Sequence, residues 1–375
     1  MKRALIVTTV SGFVPQFEMN NVRILLDMGY EIHYAANYNT PSYGTDNSRL
    51  DGTGIIRHQI DFVRSPFALK DNYKVFKQLI KIMTEIHFQL VHCHTPMGGA
   101  MARLAAKSTG TSPVIYTVHG FHFYQGAPLI NWLVYYPAEK LLSKYTDAIV
   151  TINREDYQRA QCFHAKSVEY LPGIGIHTDL IDSIEVDRAA KRKELGVSEK
   201  TRLILVVGEL IKRKNYTTAI NAFSNAELKD TVLLICGHGI LEEKLKNQVM
   251  QLGLSDKVIF TGYRQDIYEI MKASDLFFFP SYQEGLSAAL MEAMAAGLPV
   301  VCSRIRGNTD LIDEGKGGYL LDPEDTEGIV IALRKLLQNE SLARNMGEYN
   351  RLKVEQYDEK HIKEIMTDVY KDVLG

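Results

Sequence analysis

Glu284 and Glu292 stand eight positions apart in the segment Leu276–Gly297, where a short apolar run ends at Pro280 and a helical pattern continues to Gly297. Ala, Leu and Met surround Glu292, so its helix offers no polar face for a charge. A carboxylate in such a setting costs several kcal/mol unless it is paired or hydrogen-bonded. Hydroxyls of a sugar or ribose would supply those bonds. A helix that starts at about Gly285, placing Glu292 two turns in, turns the backbone N–H groups of Gly285, Leu286 and Ser287 toward an incoming anion such as a diphosphate, and its dipole assists. The plainer alternative makes Glu284 a first-turn residue and Glu292 a surface residue.

A second constellation is Val207-Gly-Glu-Leu-Ile-Lys-Arg-Lys-Asn215. Gly208 permits close backbone approach, and Lys212, Arg213 and Lys214 gather positive charge ahead of a helix, as a diphosphate clamp requires. A third is Thr117-Val-His-Gly-Phe-His-Phe-Tyr-Gln-Gly126, where His119 leaves a strand end and can bond a hydroxyl or a developing charge. His122 with Phe121, Phe123 and Tyr124 would form a platform for a second substrate. Gly12, in Thr8-Thr-Val-Ser-Gly-Phe13, permits backbone approach to a ligand, but the loop lacks the G-x-G-x-x-G dinucleotide fingerprint. His92 and His94 share one face of a strand and lack a third metal ligand, so they read as core or loop histidines and no metal site is expected. Lys70, Lys74, Lys77 and Lys81 follow i, i+4, i+7, i+11 spacing among apolar residues. They form one basic stripe, which suits either a solvated face or anionic lipid headgroups.

Short β-branched runs alternating with amphipathic segments must position these residues. Six runs occur in the first half, near Ala4–Thr9, Glu31–Ala35, Ile55–Asp61, Leu90–Cys93, Val114–Val118 and Ala148–Ile152. Six more lie in the second, from Arg202–Gly208 to Gly318–Leu321. Alternation of this kind predicts parallel βαβ units, here two doubly wound α/β domains in tandem. Pro172, Gly173 and Gly175 punctuate the chain between them. The expected division is 1–176 and 177–356, with a last helix over 357–375 packing back on the first domain. Ligands of such sheets bind beyond the carboxyl ends of the strands, and two domains so built face a cleft.

A net charge of −2 over 375 residues gives no general drive toward nucleic acid, and no such partner is expected. The four cysteines form no C-x-x-C pair, and three end apolar runs, which suits a reducing compartment. No stretch approaches the roughly 18 apolar residues of a membrane span. The apolar run at the N-terminus reads as a first buried strand rather than a signal peptide. The expected location is the cytoplasm, with contact at the inner face of the cell membrane through the lysine stripe.

The segment PSYQEGLSAALMEAMAAGLPVV carries an E-x7-E motif, Glu284 through Glu292, in a specific frame. On it the chain resembles the retaining GT-B glycosyltransferases of group 1 over essentially its whole length. YTVHGFHFYQGAPLINWLVYYPAEK and TINREDYQRA are similar to the bacterial enzymes of capsular and extracellular polysaccharide synthesis. The resemblance implies two Rossmann-like domains and metal-independent, retaining transfer of a hexose or N-acetylhexosamine from a nucleotide sugar. UDP is the commonest nucleotide, and the acceptor is a saccharide, lipid-linked in that subgroup. It implies that Glu284 contacts donor hydroxyls and acts with His119 in catalysis. Glu292 holds the ribose, and Leu286 and Ser287 offer N–H groups. Lys214 meets the diphosphate, Gly12 faces it, and the Gly262-Tyr263-Arg264-Gln265 loop lines the nucleobase. Glu209 departs from the pattern, because the family commonly has arginine there; Arg213 or Lys212 would supply that charge. No cofactor is implied. A nucleotide-sugar epimerase and a non-catalytic nucleotide-sugar or lipid-binding protein are the alternatives, and the absent glycine fingerprint disfavours a dehydrogenase.

Overall fold

The computed structural model describes residues 1–43 and 46–375. The chain divides into two compact units, Met1–Gly175 with Glu359–Gly375, and Ile176–Asp358. Each is a parallel sheet wound by helices.

In the first unit the strands are β1 (Lys2–Val10), β2 (Tyr30–Asn37), β3 (Ile56–Gln59), β4 (Leu90–His94), β5 (Val114–Val118), β6 (Ala148–Thr151) and β7 (Ser167–Tyr170), ordered β3-β2-β1-β4-β5-β6-β7. Alternate residues of β1 feed opposite faces. Ala4 and Ile6 join one apolar cluster and Leu5 and Val7 the other, as a period of two demands of a strand covered on both sides. The terminal helix Glu359–Leu374 covers the Ala4/Ile6 face with Ile362, Met366, Val369 and Tyr370. β7 is the strand that the sequence reading omits. Its four residues, Ser-Val-Glu-Tyr, are all half-buried at the sheet edge and carry no apolar run.

The second unit holds β8 (Arg202–Val207), β9 (Thr231–Cys236), β10 (Val258–Gly262), β11 (Leu276–Phe279), β12 (Val300–Ser303) and β13 (Gly318–Leu321), ordered β10-β9-β8-β11-β12-β13. In both sheets the order reverses beside the first strand of the unit, between β1 and β4 and between β8 and β11. That is where a doubly wound sheet opens a ligand crevice at its carboxyl edge. Among the described residues no helix is long and apolar enough to cross a membrane.

Candidate active site

At the carboxyl edge of β8 and β11 two loops are tied together. Gly208 has φ +147° and accepts a hydrogen bond from the Tyr216 hydroxyl at 2.7 Å. A Cβ on it would stand 3.2 Å from Lys214 Cε, so its small size lets the lysine stem pass. The basic run then folds as a 3-10 turn, Lys212–Lys214, and ends at Asn215 in the left-handed region. Asn215 Nδ2 donates to the carbonyls of Pro280 and Pro323, and the amide of Tyr282 donates to Arg213 O at 2.8 Å.

Glu284 sits in this weld, with 8 % of its side chain exposed. Its Oε1 lies 2.9 Å from Lys214 Nζ and its Oε2 lies 2.8 Å from Arg213 Nη1. Lys214 Nζ also stands 4.6 Å over the Phe279 ring. Burial pushes the Glu284 carboxyl up, but Lys214 and Arg213 outweigh it, and the net shift is below the ordinary glutamate value. Burial draws Lys214 below the usual lysine range despite Glu284 beside it. Glu284 is therefore an ionised carboxylate held by two cations. Glu209 is exposed at the start of the loop, whereas Arg213 reaches the carboxylate.

The helix after Pro280 starts later than the sequence pattern suggests. It spans Ala288–Ala295, with Ser287 as N-cap accepting from the Leu290 amide at 3.4 Å. Serine in extended conformation is the stronger start signal, so Gly285 and Leu286 lie in the loop rather than in the first turn. Glu292 is then the fifth helical residue. It is half-buried, and its Oε1 accepts from the Tyr268 hydroxyl at 3.2 Å. Burial raises the Glu292 carboxyl, and Tyr268 offsets this only in part. No cation pairs with Glu292 as two do with Glu284 among the contacts of the described residues.

Three features here escape sequence reading. Arg306 Nε donates to Glu284 O at 3.1 Å. Gly307, at φ +80°, approaches so closely that a Cβ would stand 2.1 Å from Gly285 O. Ser303 Oγ and Asn308 Oδ1 are buried without a hydrogen-bond partner among the described residues, a state that a ligand or ordered water relieves. The available signal was Arg-Gly-Asn two residues beyond an apolar strand. Nearby, the exposed Tyr263 ring stacks on His238 at 6.2 Å and 20°, and the Tyr263 amide donates to His238 Nε2 at 3.1 Å. His238 had not been singled out. Arg264 is engaged by Asp266 and Glu194, which leaves the Tyr263–His238 pair as the open part of that loop.

In the first unit, His119 follows β5 with 19 % of its side chain exposed. The fold gathers Glu18, His94 and His119 so that their ligand-type atoms lie within 4.8 Å of one another. His94 thus gains partners that its HxH spacing did not reveal. His92 is a core histidine: Nδ1 meets Tyr370 Oη and Nε2 meets Thr117 Oγ1, each at 2.7 Å. Burial pushes His92 down to about 3 and His94 well below the ordinary value. Phe121 and Phe123 are buried and stacked at 4.6 Å, so they belong to the core rather than to a substrate platform. Gly12 donates to Pro41 O at 2.7 Å, and a Cβ there would stand 1.8 Å from Ser42 O. Close approach of its own chain explains that glycine. Thr95, a β-branched residue at φ +62°, is held between strand and helix by Thr9, a strain that collects at functional sites. Lys70, Lys74, Lys77 and Lys81 are all exposed on the helix Leu69–Ile86, with Lys74 paired to Asp61 at 2.7 Å.

The model of "Glycosyl transferases group 1" matches residues 187–353, and "Glycosyl transferase 4-like" matches residues 4–153. EpsD of Bacillus subtilis is 34% identical over 379 residues, which cover 98% of this chain and 96% of that protein. The chain belongs to the group 1 glycosyltransferases. Another relative of this glycosyltransferase is the Escherichia coli UDP-Gal:alpha-D-GlcNAc-diphosphoundecaprenol alpha-1,3-galactosyltransferase. The two are 29% identical over 283 residues, 73% of each chain. Among solved structures, Anabaena HepE in complex with UDP has a TM-score of 0.79 at 17% identity, over 99% of this chain and 100% of that one. The glycosyltransferase therefore has the GT-B fold, and it acts in polysaccharide or glycoconjugate synthesis.

Proposed function

We propose that the protein is a retaining transferase that moves a hexose or N-acetylhexosamine from a UDP-sugar to a lipid-linked saccharide acceptor. The observation that carries this reading is Glu284, buried, ionised and cradled by Lys214 and Arg213 at the carboxyl edge of β8 and β11. A carboxylate so placed accepts hydrogen bonds from sugar hydroxyls, while the same two cations stabilise the departing diphosphate. Gly208 leaves room for the diphosphate, and the amides of Gly285, Leu286 and Ser287 meet it. Glu292 takes the ribose hydroxyls, to which its raised proton affinity makes it a ready partner. The Tyr263–His238 pair serves the base, with Arg264 bracing its loop.

His119 is the hydrogen-bonding group at the sugar and the forming bond, and the loop that carries Gly12 lies beside it, with Phe13 packed on its ring. No side chain is assigned as a covalent nucleophile. The donor phosphate oxygen takes the acceptor proton as the glycosidic bond to phosphate breaks and the new bond forms on the same face. The charge work is assigned to fixed cations and amides, so no metal ion is needed. The UDP and diphosphoundecaprenol named for the 29%-identical relative support the choice of donor and acceptor. The lysine stripe Lys70, Lys74, Lys77 and Lys81 rests on anionic lipid at the cytoplasmic face. A thermal-shift screen of nucleotide sugars tests the donor: a true UDP donor stabilises the native state in proportion to ln(1 + [L]/Kd), and the absence of a UDP-specific shift would overturn it. Activity unchanged in EDTA, and an NMR anomeric signature of retention in the product, test the metal and stereochemical parts.

A further inference from the structure

Glu18 is the residue between two short helices, Phe13–Phe17 and Met19–Asp27, and its side chain is 2 % exposed. Its Oε2 accepts from Asn21 Nδ2. Its Oε1 lies 3.1 Å from His119 Nε2 and 3.4 Å from His94 Nδ1, and those two nitrogens are 3.3 Å apart. Three atoms in such a triangle cannot form three ordinary hydrogen bonds, because one proton serves two contacts and a second proton collides with the first. The arrangement must therefore choose where its proton sits.

Putting the proton on His94 Nδ1 leaves the lone pair of His119 Nε2 against a carboxylate oxygen at 3.1 Å, the shortest side of the triangle. Giving both nitrogens a proton sets two N–H groups head to head at 3.3 Å. A proton on His119 Nε2 is shared by Glu18 Oε1 and His94 Nδ1, and it relieves the shortest contact. His94 cannot supply charge instead, because complete burial holds it neutral and its Nε2 finds no partner among the described residues. The Phe13 ring, edge-on at 4.8 Å, packs against His119 as well.

We propose that Glu18 is a positioning residue, aided by His94, that fixes the His119 proton on Nε2, so that the transfer reaction meets Nδ1 as the acceptor nitrogen of the neutral ring. This rests on the reading that His119 acts in transfer. The principle is that of a carboxylate behind a catalytic imidazole, which sets tautomer and orientation without itself reacting. No covalent step is added: the Glu18 carboxylate and the Nε2–H stay as they are through the cycle.

The test is long-range 1H–15N correlation on 15N-histidine-labelled full-length protein, with the His119 signals assigned by their loss in His119→Gln. The expected wild-type spectrum shows the Nε2–H tautomer. Glu18→Gln, which both donates and accepts, mixes the tautomers and lowers kcat about 10²-fold with little change in donor KM. Glu18→Asp, keeping the charge, restores the Nε2–H signature and part of kcat. Circular dichroism identifies any variant that fails to fold, and the wild-type spectrum then decides alone. A wild-type Nδ1–H tautomer, or a tautomer unmoved in folded Glu18→Gln, overturns the proposal. So does one equivalent of zinc in the purified protein that Glu18→Gln loses, since a metal would displace the Nε2 proton. Full activity in both Glu18→Gln and His119→Ala, with the tautomer as expected, instead overturns the role of His119 in transfer.

Discussion

Glu284 and Glu18 are both buried carboxylates near the carboxyl edge of a parallel sheet, yet their surroundings differ in kind. Glu284 faces two basic side chains, Lys214 at 2.9 Å and Arg213 at 2.8 Å. Glu18 faces two imidazoles, one of them held neutral by burial. Fixed cations keep a carboxylate ionised and anchor charge on a ligand; imidazoles set where a proton sits. The second unit is thus arranged for binding and charge stabilisation, and the first for orienting a proton. Glu292 is a third case, a half-buried carboxyl that accepts from the Tyr268 hydroxyl.

The largest break in this comparison is Glu284→Gln. It leaves Lys214 buried without its counter-charge and should cost about 2–4 kcal/mol of stability at neutral pH. It should also lower kcat/KM roughly 10²–10³-fold. The sign follows from a native pKa below the unfolded one. The Glu284 contribution is complete above the ordinary glutamate range, at about 4.3, and is lost as pH falls through the native value. Chemical denaturation at pH 7 and near pH 3 should therefore show the wild-type advantage shrinking with acid.

Next in size is nucleotide affinity. Glu292→Ala should weaken UDP binding by about 1.5–3 kcal/mol through loss of charged hydrogen bonds, read by calorimetry. The same position sharpens the comparison through stability. The native pKa of Glu292 lies above the unfolded one, so its favourable contribution is present below the ordinary range and is lost as pH rises through the native value. Glu292→Gln should consequently stabilise the unliganded protein at pH 7.5 by roughly 0.5–1.5 kcal/mol, with the gain fading by pH 4. That is opposite in sign to Glu284→Gln. The smallest effect expected is on lipid: Lys70→Ala should weaken binding to phosphatidylserine vesicles by ~1 kcal/mol and leave UDP affinity unchanged.

Much of the fold was legible because periodicity reports burial directly. The strand Gly318–Leu321 coincides with its sequence pattern, and all six strands of the second sheet were recognisable as apolar runs. β7 was not, since an edge strand need not be apolar. The start of the Ala288–Ala295 helix was misplaced because Gly285 and Leu286 continue the apolar pattern while the Ser287 cap decides. Glu284, Lys214 and Arg213 were visible as unusual residues at strand ends, but their mutual pairing is a product of topology. Glu18, His238, Arg306 and Tyr268 left weaker traces. Glu18 lies 76 residues before His94 and 101 before His119, and no local pattern marks such a meeting.

The most direct test of the donor site is a crystal of this protein soaked with UDP. The account predicts the ribose hydroxyls on Glu292 and the diphosphate between Lys214, Arg213 and the amides of Leu286 and Ser287. A nucleotide bound elsewhere, with Glu284 and Glu292 untouched, would contradict it.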